Sequence, residues 1–448
     1  MEEKTYDGNV FHLYPKRQYP LFERGEGVYL YDDKGKRYID GVGGAAVVNI
    51  GHGVQEILDA MALQANQFCY EFPFLYTSHP QEELAKRVAA FSPDGLTYTF
   101  FVSGGSEANE TAIKLARQYQ VEKGHAGRYK VISRWMSYHG ASLGALSVTG
   151  RYSFRNIFGP LLLDFPKIPP PFCLHCPYDK EYPICDLTCA HELERVIKLE
   201  GSEYISAFLA EPIVGGSLGA VSPPPEYYQI IRSICDKYGI LFIADEVITG
   251  FGRTGKNFGI EHWGVTPDII TTGKGISSGY APLGAVIIHE RIYEAVAEGS
   301  GLFHHGFTYG GNPLSCAIGL AVLDYVEKNG LVERSARMGE IFLGELSRLK
   351  EHKMVADVRG RGMMAGVEFL ADPQAQTPFP KEEEVAEKVE AAAAERGLLV
   401  VPGTGDIDGI SGDHLLLAPP FTITEEQIGD LVNALEEAIM AVEEKVTT

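Results

Sequence analysis

The sequence predicts an α/β protein with a large domain built on a mostly parallel sheet and a smaller α+β domain. From residues 55–330, short apolar runs alternate with helical stretches, the pattern of a parallel sheet covered by helices. Residues 331–448 read differently, as a long helix, two β-like runs and further helices. The chain has 448 residues, of which 45% are hydrophobic, enough for more than one core. We expect residues 1–54 to pack with the small domain.

The elements follow in chain order. Residues 27–40 alternate apolar and polar side chains around Asp33-Lys34-Gly35, which predicts a hairpin. A helix that opens at Ser106-Glu107 carries small and apolar residues on one stripe. The last helix has a capping-box start at Thr424, with Gln427 three residues on. Five apolar runs are the main strand candidates of the large domain: YTFFV, YKVIS, AFLAE, LFIAD and AVIIH.

Charge and composition exclude several classes of partner. The chain has 39 Lys and Arg against 60 Asp and Glu, a formal charge of -21, so phosphate polyanions and anionic membranes should be repelled. The longest stretch without these charged residues, 299–323, contains histidines, a proline and several glycines, unlike a membrane span. The N-terminal MEEKTYDGNV is acidic where a signal peptide is basic and then apolar. We expect a cytoplasmic protein without nucleic-acid or membrane partners.

Residues 100–117 are the first segment that suggests chemistry. They predict a strand, then Gly104-Gly105-Ser106, then a helix. Glycines let backbone N–H groups approach an anion, and a helix N-terminus adds partial positive charge, so this segment fits a phosphate. A serine followed by acids at a helix start is also an ordinary N-cap, and that interpretation stays open. No Walker A loop occurs here or around Gly273-Lys274-Gly275.

Two further segments place reactive groups after buried strands. Asp245 ends the run ILFIAD, and carboxylates at this end of a parallel strand lie where open α/β sheets bind ligands. An acidic strand end can also be only that. Lys274 lies between two glycines after another apolar run. A lysine held in a tight turn and partly desolvated can have a lowered pKa and attack a carbonyl to form a Schiff base.

Together these segments resemble the class III pyridoxal-phosphate-dependent aminotransferases, the ω-transaminases of the amine:pyruvate type. The resemblance covers nearly the whole chain and rests on motifs in the family's order: VVNIGHG, SEANETAIKLAR, Tyr138-His139-Gly140, Ala210-Glu211-Pro212, ADEVITGFGRTG, GKGISSGYAPLGA, HGFTYGGNP, VRGRGMMAGVE and LLLAPP. It implies the aspartate-aminotransferase-like PLP fold type I and pyridoxal 5′-phosphate as cofactor. It requires no metal.

The resemblance also implies roles for individual residues. Lys274 matches the lysine that forms the Schiff base with the cofactor and moves protons. Asp245 matches the carboxylate that pairs with the pyridine nitrogen, which makes the ring an electron sink. The other matches are Tyr138 and Val247 on the two ring faces, Glu211 behind Asp245, Gly105 and Ser106 at the phosphate, and Thr308 reaching the phosphate of the neighbouring subunit. The active sites would then lie in a homodimer or a dimer of dimers.

Departures from the family pattern bear on the substrates. In ornithine- and 4-aminobutyrate-type members, the segment that matches residues 211–216 reads E-P-I-Q-x-E. Its last Glu pairs with a C-terminal arginine, and this pair acts as a gate for the substrate carboxylate. This chain has Val214 and Gly216 at those positions, and residues 403–414 stand where amine:pyruvate members have a mobile arginine. We therefore expect a primary amine or ω-amino acid as donor and a small 2-oxo acid, pyruvate, as acceptor. Arg396 and Arg253 are the remaining candidates for the gate.

The donor's apolar body would fit near Phe74, Tyr76 and the small Ala45-Ala46 pair. A separate question is the cysteine-rich segment, where Cys173, Cys176, Cys185 and Cys189 lie close together in sequence. This spacing allows a zinc knuckle, two local disulfides or free thiols.

Alternative functions remain at this stage. Within the family, the scaffold also serves 2-oxoglutarate-dependent diamine or 4-aminobutyrate aminotransferases, aminomutases and decarboxylases. From other classes, a nucleotide-binding ATPase would use the Gly-Gly-Ser segment, and a zinc-bearing interaction protein would be organised around the cysteines. The missing Walker motifs disfavour the ATPase. The intact motifs around Lys274 and Asp245 disfavour the interaction protein.

Overall fold

The structure is a computed structural model that describes residues 9–446. Most of the acidic N-terminal segment, on which the expectation of a missing signal peptide rests, lies outside the described residues. The strands are β1 Phe22–Glu26, β2 Tyr29–Asp32, β3 Arg37–Asp40, β4 Leu96–Val102, β5 Lys130–Arg134, β6 Lys167–Ile168, β7 Ile205–Ala210, β8 Leu241–Asp245, β9 Ile269–Thr272, β10 Gly284–His289, β11 Val355–Gly360, β12 Ala365–Phe369, β13 Leu398–Leu399, β14 Val401–Thr404 and β15 Asp413–Leu417. The helices are α1 Gly43–Ala46, α2 Gln55–Gln67, α3 His79–Phe91, α4 Gly105–Glu122, α5 Leu143–Val148, α6 Tyr152–Arg155, α7 Thr188–Glu200, α8 Tyr227–Tyr238, α9 Glu290–Glu298, α10 Pro313–Lys328, α11 Leu331–Ser347, α12 Val385–Glu395 and α13 Glu425–Val446.

A seven-stranded sheet forms the centre of the molecule, in the order β4-β10-β9-β8-β7-β5-β6. The strands from β9 to β6 run parallel to their neighbours, whereas β10 is antiparallel to both β4 and β9. Only residues 273–283 join β9 to β10, too short a connection for the helical crossover that a parallel pair needs. The predicted mostly parallel sheet is confirmed.

Both faces of this sheet are buried, which explains its continuous apolar strands. Along β8, Phe242 belongs to one core cluster and Ile243 to another, so alternate side chains point into two cores. The predicted stripe of α4 is buried against the second of these cores through Ala108, Ala112, Leu115, Ala116 and Tyr119. Helix α4 therefore packs along the sheet with its N-terminus at the end of β4.

Two smaller sheets complete the fold. An antiparallel sheet has the order β11-β12-β15-β14, and another has the order β1-β2-β3-β13. In the latter, β3 pairs in parallel with β13 through Ile39 and Leu398, so the N-terminal hairpin shares a sheet with a C-terminal strand. The capping box at α13 is confirmed: Thr424 N donates to Gln427 Oε1 at 3.0 Å, and Gln427 N donates to Thr424 Oγ1 at 3.2 Å.

The short α1 has an unusual backbone. Gly43, Gly44, Ala45 and Ala46 all have positive φ, so the segment is a left-handed turn rather than a regular helix.

Within residues 9–446, no helix combines the length and the apolar character needed to cross a membrane.

Candidate active site

A cavity of about 200 Å³ lies at the carboxyl ends of the central strands. Glu211 follows β7, Asp245 ends β8, and Lys274 lies two residues after β9. Because these three strands are parallel neighbours, residues at their ends come together at one edge of the sheet. Seven of the eight residues predicted from the sequence line the cavity: Gly105, Ser106, Tyr138, Glu211, Asp245, Val247 and Lys274.

The eighth predicted residue, Thr308, is exposed and does not line the cavity of its own chain. It lies between α9 and α10, and its carbonyl oxygen accepts a hydrogen bond of 3.1 Å from the Tyr70 hydroxyl. Its predicted contact with the cofactor of a neighbouring subunit stays a prediction.

Lys274 has the properties expected of a reactive amine. Its backbone has a φ of 44°, a left-handed conformation that L-residues rarely adopt. Burial lowers the pKa of Lys274 to about 8, while the negative charges of Asp245 and Glu211 act in the opposite direction. Far more of the amine is therefore neutral and nucleophilic near neutral pH than in a lysine of ordinary pKa.

The carboxylate of Asp245 is held by three donors. Asn109 Nδ2 donates to its Oδ2 at 2.8 Å, and Val247 N donates to its Oδ1 at 3.1 Å. The Nδ1 atom of His139 lies 2.7 Å from the same Oδ2. Asn109 is itself oriented by Thr271, whose hydroxyl donates to Asn109 Oδ1 at 2.9 Å. A 4% exposed carboxylate fixed in this way can pair with a cationic group in the cavity.

Glu211 is buried in the wall of the cavity. Its Oε1 accepts from Tyr138 N and its Oε2 from Gly215 N, each at 3.0 Å. Its backbone carbonyl accepts from the hydroxyl of Tyr228 at 2.7 Å and from the fully buried Arg134. Burial raises the pKa of Glu211. These contacts tie the Tyr138 segment to the loop after β7.

The N-terminus of α4 forms one wall of the cavity. Close packing there requires glycine at two positions, Gly105 in the helix start and Gly140 in the segment that packs against it. A Cβ at Gly105 would lie 2.8 Å from Val247 Cγ1. A Cβ at Gly140, where φ is +134°, would lie 2.5 Å from Ser106 Oγ. The hydroxyl oxygen of Ser106 accepts from Ala141 N at 3.1 Å. The helix start thus presents backbone N–H groups at an open surface, as an anion site requires.

These groups are complementary to pyridoxal 5′-phosphate. The amine of Lys274 suits the cofactor's aldehyde, the buried carboxylate of Asp245 suits a protonated ring nitrogen, and the helix start at Gly105 suits the phosphate. Tyr138 and Val247 line the same cavity and offer it an aromatic and an aliphatic surface. The residues present therefore fit the group.

At Gly216, where other family members would have the glutamate of the carboxylate gate, a buried His–Asp pair packs against the loop. The side chains of His414 and Asp406 are fully buried and form a pair 2.5 Å apart, and His414 Nε2 lies 3.3 Å from the Gly216 carbonyl oxygen. Glycines make room for this ring, since a Cβ at Gly219 or Gly403 would lie 2.9 Å or 2.2 Å from it. Residues 403–414 thus pack against the Gly216 loop.

Neither arginine proposed from the sequence lines the cavity. Arg253 is buried and donates to the carbonyls of Met363 and Pro419, at 2.8 and 2.6 Å. Arg396 pairs with Glu437 at 3.5 Å. A different arginine, Arg151, lies beside the Gly216 loop, where its Nη1 donates to the Gly216 carbonyl at 3.3 Å.

The residues proposed for the donor's apolar body lie elsewhere in the single chain. Phe74 lines a separate cavity of about 100 Å³ together with Phe307. Tyr76 is exposed, and the Ala45-Ala46 pair belongs to the left-handed turn. The active-site cavity therefore lacks these side chains within its own chain.

The cysteine-rich segment lines a narrow cavity of about 20 Å³. All seven cysteines have free thiols in the structure. Within residues 9–446, no cluster of three or more His, Cys, Asp or Glu side chains has the geometry of a metal site. Burial raises the pKa of Cys189 to about 12, so its thiol is protonated at neutral pH.

Sequence reasoning did not assign Asn109, His139 and Arg151 to the site. His139 lies within the Tyr138-His139-Gly140 motif. Asn109 could have been recognised because it is a polar residue on the buried stripe of α4. A buried polar side chain needs a partner, so such a position points to an internal hydrogen bond. No comparable pattern surrounds Arg151.

Comparisons with known proteins agree with this geometry. Residues 14–439 match the family described as aminotransferase class-III. The diaminobutyrate–2-oxoglutarate transaminase of Halomonas elongata is 36% identical over 94% of this chain and 90% of its own length.

Two solved structures show the same fold. An (S)-enantioselective omega-transaminase from Thermomicrobium roseum has a TM-score of 0.89 and 40% identity, covering 96% of this chain and 94% of that one. An amine transaminase from an uncultivated Pseudomonas species, described as PLP-bound, has a TM-score of 0.92 and 35% identity, covering 98% of this chain and 100% of that one. This likeness gives the chain the α/β architecture of PLP fold type I. This chain therefore belongs to the class III aminotransferase family, whose members are enzymes that depend on pyridoxal 5′-phosphate.

Proposed function

We propose that this aminotransferase transfers an amino group from a primary amine or ω-amino acid to a small 2-oxo acid, with pyruvate as the acceptor. The reaction would run as two half-reactions, in which the donor leaves its nitrogen on the cofactor and the acceptor collects it. The observation that carries the proposal is the Gly216 loop, where a buried His414–Asp406 pair occupies the region of a glutamate gate. The name of the Thermomicrobium roseum neighbour, an omega-transaminase, supports the donor class.

We propose the following roles for the chain's own residues. When bound, the cofactor supplies an aldehyde that takes up nitrogen and a ring that withdraws electrons. Lys274 would hold the cofactor and then, as a neutral amine, carry a proton between the two carbons that exchange it. Asp245, fixed by Asn109 and His139, would keep a positive charge on the ring nitrogen.

The remaining site residues would bind and orient the cofactor. Backbone N–H groups at Gly105 and the hydroxyl of Ser106 would hold the phosphate. Tyr138 and Val247 would contact the two faces of the ring, and Glu211 would fix Tyr138 through its backbone N–H. Thr308 of a second subunit would complete the phosphate site, which makes a homodimer, alone or paired into a dimer of dimers, part of this proposal.

The acceptor follows from the number of carboxylates that the site can neutralise. A dicarboxylate such as 2-oxoglutarate brings two negative charges, and burying either without a partner is costly. Among residues 9–446, Arg151 is the arginine whose guanidinium contacts Gly216, and no ion pair joins it to a glutamate that could neutralise it for an uncharged donor. One cation suits one carboxylate, as in pyruvate.

The rival assignment is a 2-oxoglutarate-dependent enzyme, which the name of the Halomonas elongata relative favours. An acceptor panel on the holoenzyme decides between them, with 1-phenylethylamine and 4-aminobutyrate as donors. We expect the catalytic efficiency with pyruvate to exceed that with 2-oxoglutarate by about 10-fold or more, the equivalent of one unpaired buried charge. The opposite ranking with both donors would assign the enzyme to the rival class.

A further inference from the structure

Arg151 is a largely buried cation without an anionic partner. It lies between α5 and α6, and its Nη1 donates only to a neutral group, the carbonyl of Gly216 at 3.3 Å. Its Nε is buried, and no acceptor for it is found among residues 9–446. Nor does Arg151 form an ion pair with any described carboxylate. An uncompensated buried guanidinium costs folding energy, so its presence calls for a ligand.

The surroundings of Arg151 connect it to the active-site cavity on two sides. On one side its guanidinium lies 5.1 Å from the centre of the Phe154 ring, which is 5.3 Å from the ring of Tyr138. On the other side it holds Gly216, whose neighbour Gly215 donates to Glu211 at 3.0 Å. Tyr138 and Glu211 both line the cavity. Arg151 therefore lies directly behind the cavity wall, between the aromatic pair and the Gly216 loop.

The acid whose charge acts most strongly on Arg151 is Asp406. Its Oδ1 pairs with His414 at 2.5 Å, and its Oδ2 is buried, lies 3.9 Å from Arg359 and has no hydrogen-bond partner among residues 9–446, so Asp406 does not neutralise Arg151 at hydrogen-bond distance. Its negative charge still favours the charged form of Arg151, together with those that Tyr14, Tyr138 and Glu387 can carry. Burial acts against them and lowers the pKa of Arg151.

We propose that Arg151 binds the carboxylate of the oxo-acid acceptor through the guanidinium N–H groups that the Gly216 carbonyl does not hold. A guanidinium presents parallel N–H groups that match the two oxygens of a carboxylate. The Phe154 ring lies within cation–π distance of it and favours its positive charge. This inference rests on the proposed function for the identity of the ligand, a small monocarboxylate.

Gly216 offers a direct way to test the site. A Cβ at Gly216 meets nothing within 4 Å, and its backbone is not left-handed, so a side chain fits there without strain. G216E would bring a carboxylate next to Arg151 and compete with the ligand for it. G216Q has nearly the same size and no charge, which makes it the matched control.

The test uses propionate, a monocarboxylate that cannot accept nitrogen, titrated calorimetrically into the holoenzyme. We expect R151Q to weaken propionate binding about 10- to 100-fold, as for the loss of charge-assisted hydrogen bonds. R151K should retain part of the affinity because it keeps the charge. G216E should bind propionate more weakly than G216Q. Equal affinities in wild type, R151Q and R151K would overturn the proposal.

Kinetics separate a ligand-binding role from a structural one. R151Q should raise the KM for pyruvate about 10-fold more than the KM for butanal, an acceptor without a carboxylate. Equal losses for both acceptors, or weakened binding of inorganic phosphate to the apoenzyme instead of propionate, would contradict the assignment. If propionate binding depends on Arg151 but no amine donor is turned over, the carboxylate site stands and the proposed function fails.

Discussion

Lys274 has a backbone conformation that most residues avoid, and its neighbours hold it there. A φ of 44° in a non-glycine residue costs of order 1 kcal/mol or more. The next residue, Gly275, packs closely against Asn49, since a Cβ there would lie 2.4 Å from Asn49 Nδ2. Only a glycine allows this close approach, which holds the turn at Lys274 in place. The strain is thus balanced by packing that directs one amine into the cavity.

The lowered pKa of Lys274 predicts how cofactor uptake depends on pH. Only the neutral amine attacks an aldehyde, so the rate of uptake by the apoenzyme should rise with pH and level off above about 8 rather than above 10.5. The same shift affects stability: between these values the folded apoprotein binds fewer protons than the unfolded chain, so stability rises with pH through this window. Stopped-flow absorbance of the cofactor measures the rate.

Asp245→Asn provides the control for this profile. Its carboxylate raises the pKa of Lys274, so removing the charge should move the midpoint to lower pH. Lys274→Arg should bind the cofactor only non-covalently at every pH, because its guanidinium does not form a Schiff base. A wild-type midpoint near 10.5 would show that burial does not govern the amine.

At the residue scale, the sequence predicted the members of long motifs and missed their partners. Lys274 and Asp245 follow apolar strands, and strand order alone brings them to one edge. Arg151 could not be found in this way, because its contacts depend on the loop at Gly216, which is distant in sequence. Spacing reports which face a residue occupies but not what packs across from it.

Helix α11 contains two glycines that differ only in their surroundings. A Cβ at Gly339 would lie 2.4 Å from the backbone of Gly362, whereas a Cβ at Gly344 meets nothing within 4 Å. Gly339→Ala should therefore destabilise the protein by about 1 to 3 kcal/mol through overpacking. Gly344→Ala should stabilise it by about 0.5 to 1 kcal/mol, since alanine favours a helix.

Thermal unfolding of the two variants, at one scan rate and one cofactor concentration, measures this difference. The helix propensity gain is common to both substitutions, so the gap between their midpoints reports the close approach of α11 to Gly362 alone. Two equal midpoints would mean that this contact is not tight.

At the element scale, periodicity predicted the helices well and strand direction less well. The stripe on α4 and the capping box at Thr424 depend on neighbours within a few residues. Local sequence patterns were therefore enough to predict them. The reversed direction of β10 depends on the short connection from β9, and the left-handed turn at Gly43–Ala46 depends on local packing. Neither leaves a periodic signal.

At the scale of the whole molecule, the exposure of Thr308 bears on assembly. Around it lie exposed aromatic side chains, with Tyr309 65% and Phe74 54% exposed, and such patches mark association surfaces. If Thr308 acts on a neighbouring subunit, a mixed dimer of Lys274→Ala and Thr308→Glu chains contains one intact site. Co-expression of the two inactive variants with different tags should then restore activity in the doubly tagged species.

The intact site should contribute about half of the wild-type activity per dimer. If Thr308 instead acts within its own chain, every site of the mixed dimer carries one defect, and the doubly tagged species would be as inactive as its parents. Sedimentation of the purified species establishes that it is a dimer.

The domain boundaries at residues 54 and 330 stay predictions.

The pairing of β3 with β13 has a consequence for protein synthesis. Ile39 leaves the ribosome early, but its partner Leu398 emerges only when most of the chain is complete. Until then the edge of β3 offers unpaired N–H and C=O groups to any neighbouring strand. A nascent chain that stalls before Leu398 keeps this edge open and is prone to aggregate, so this late β-pairing also separates nearly complete chains from shorter ones.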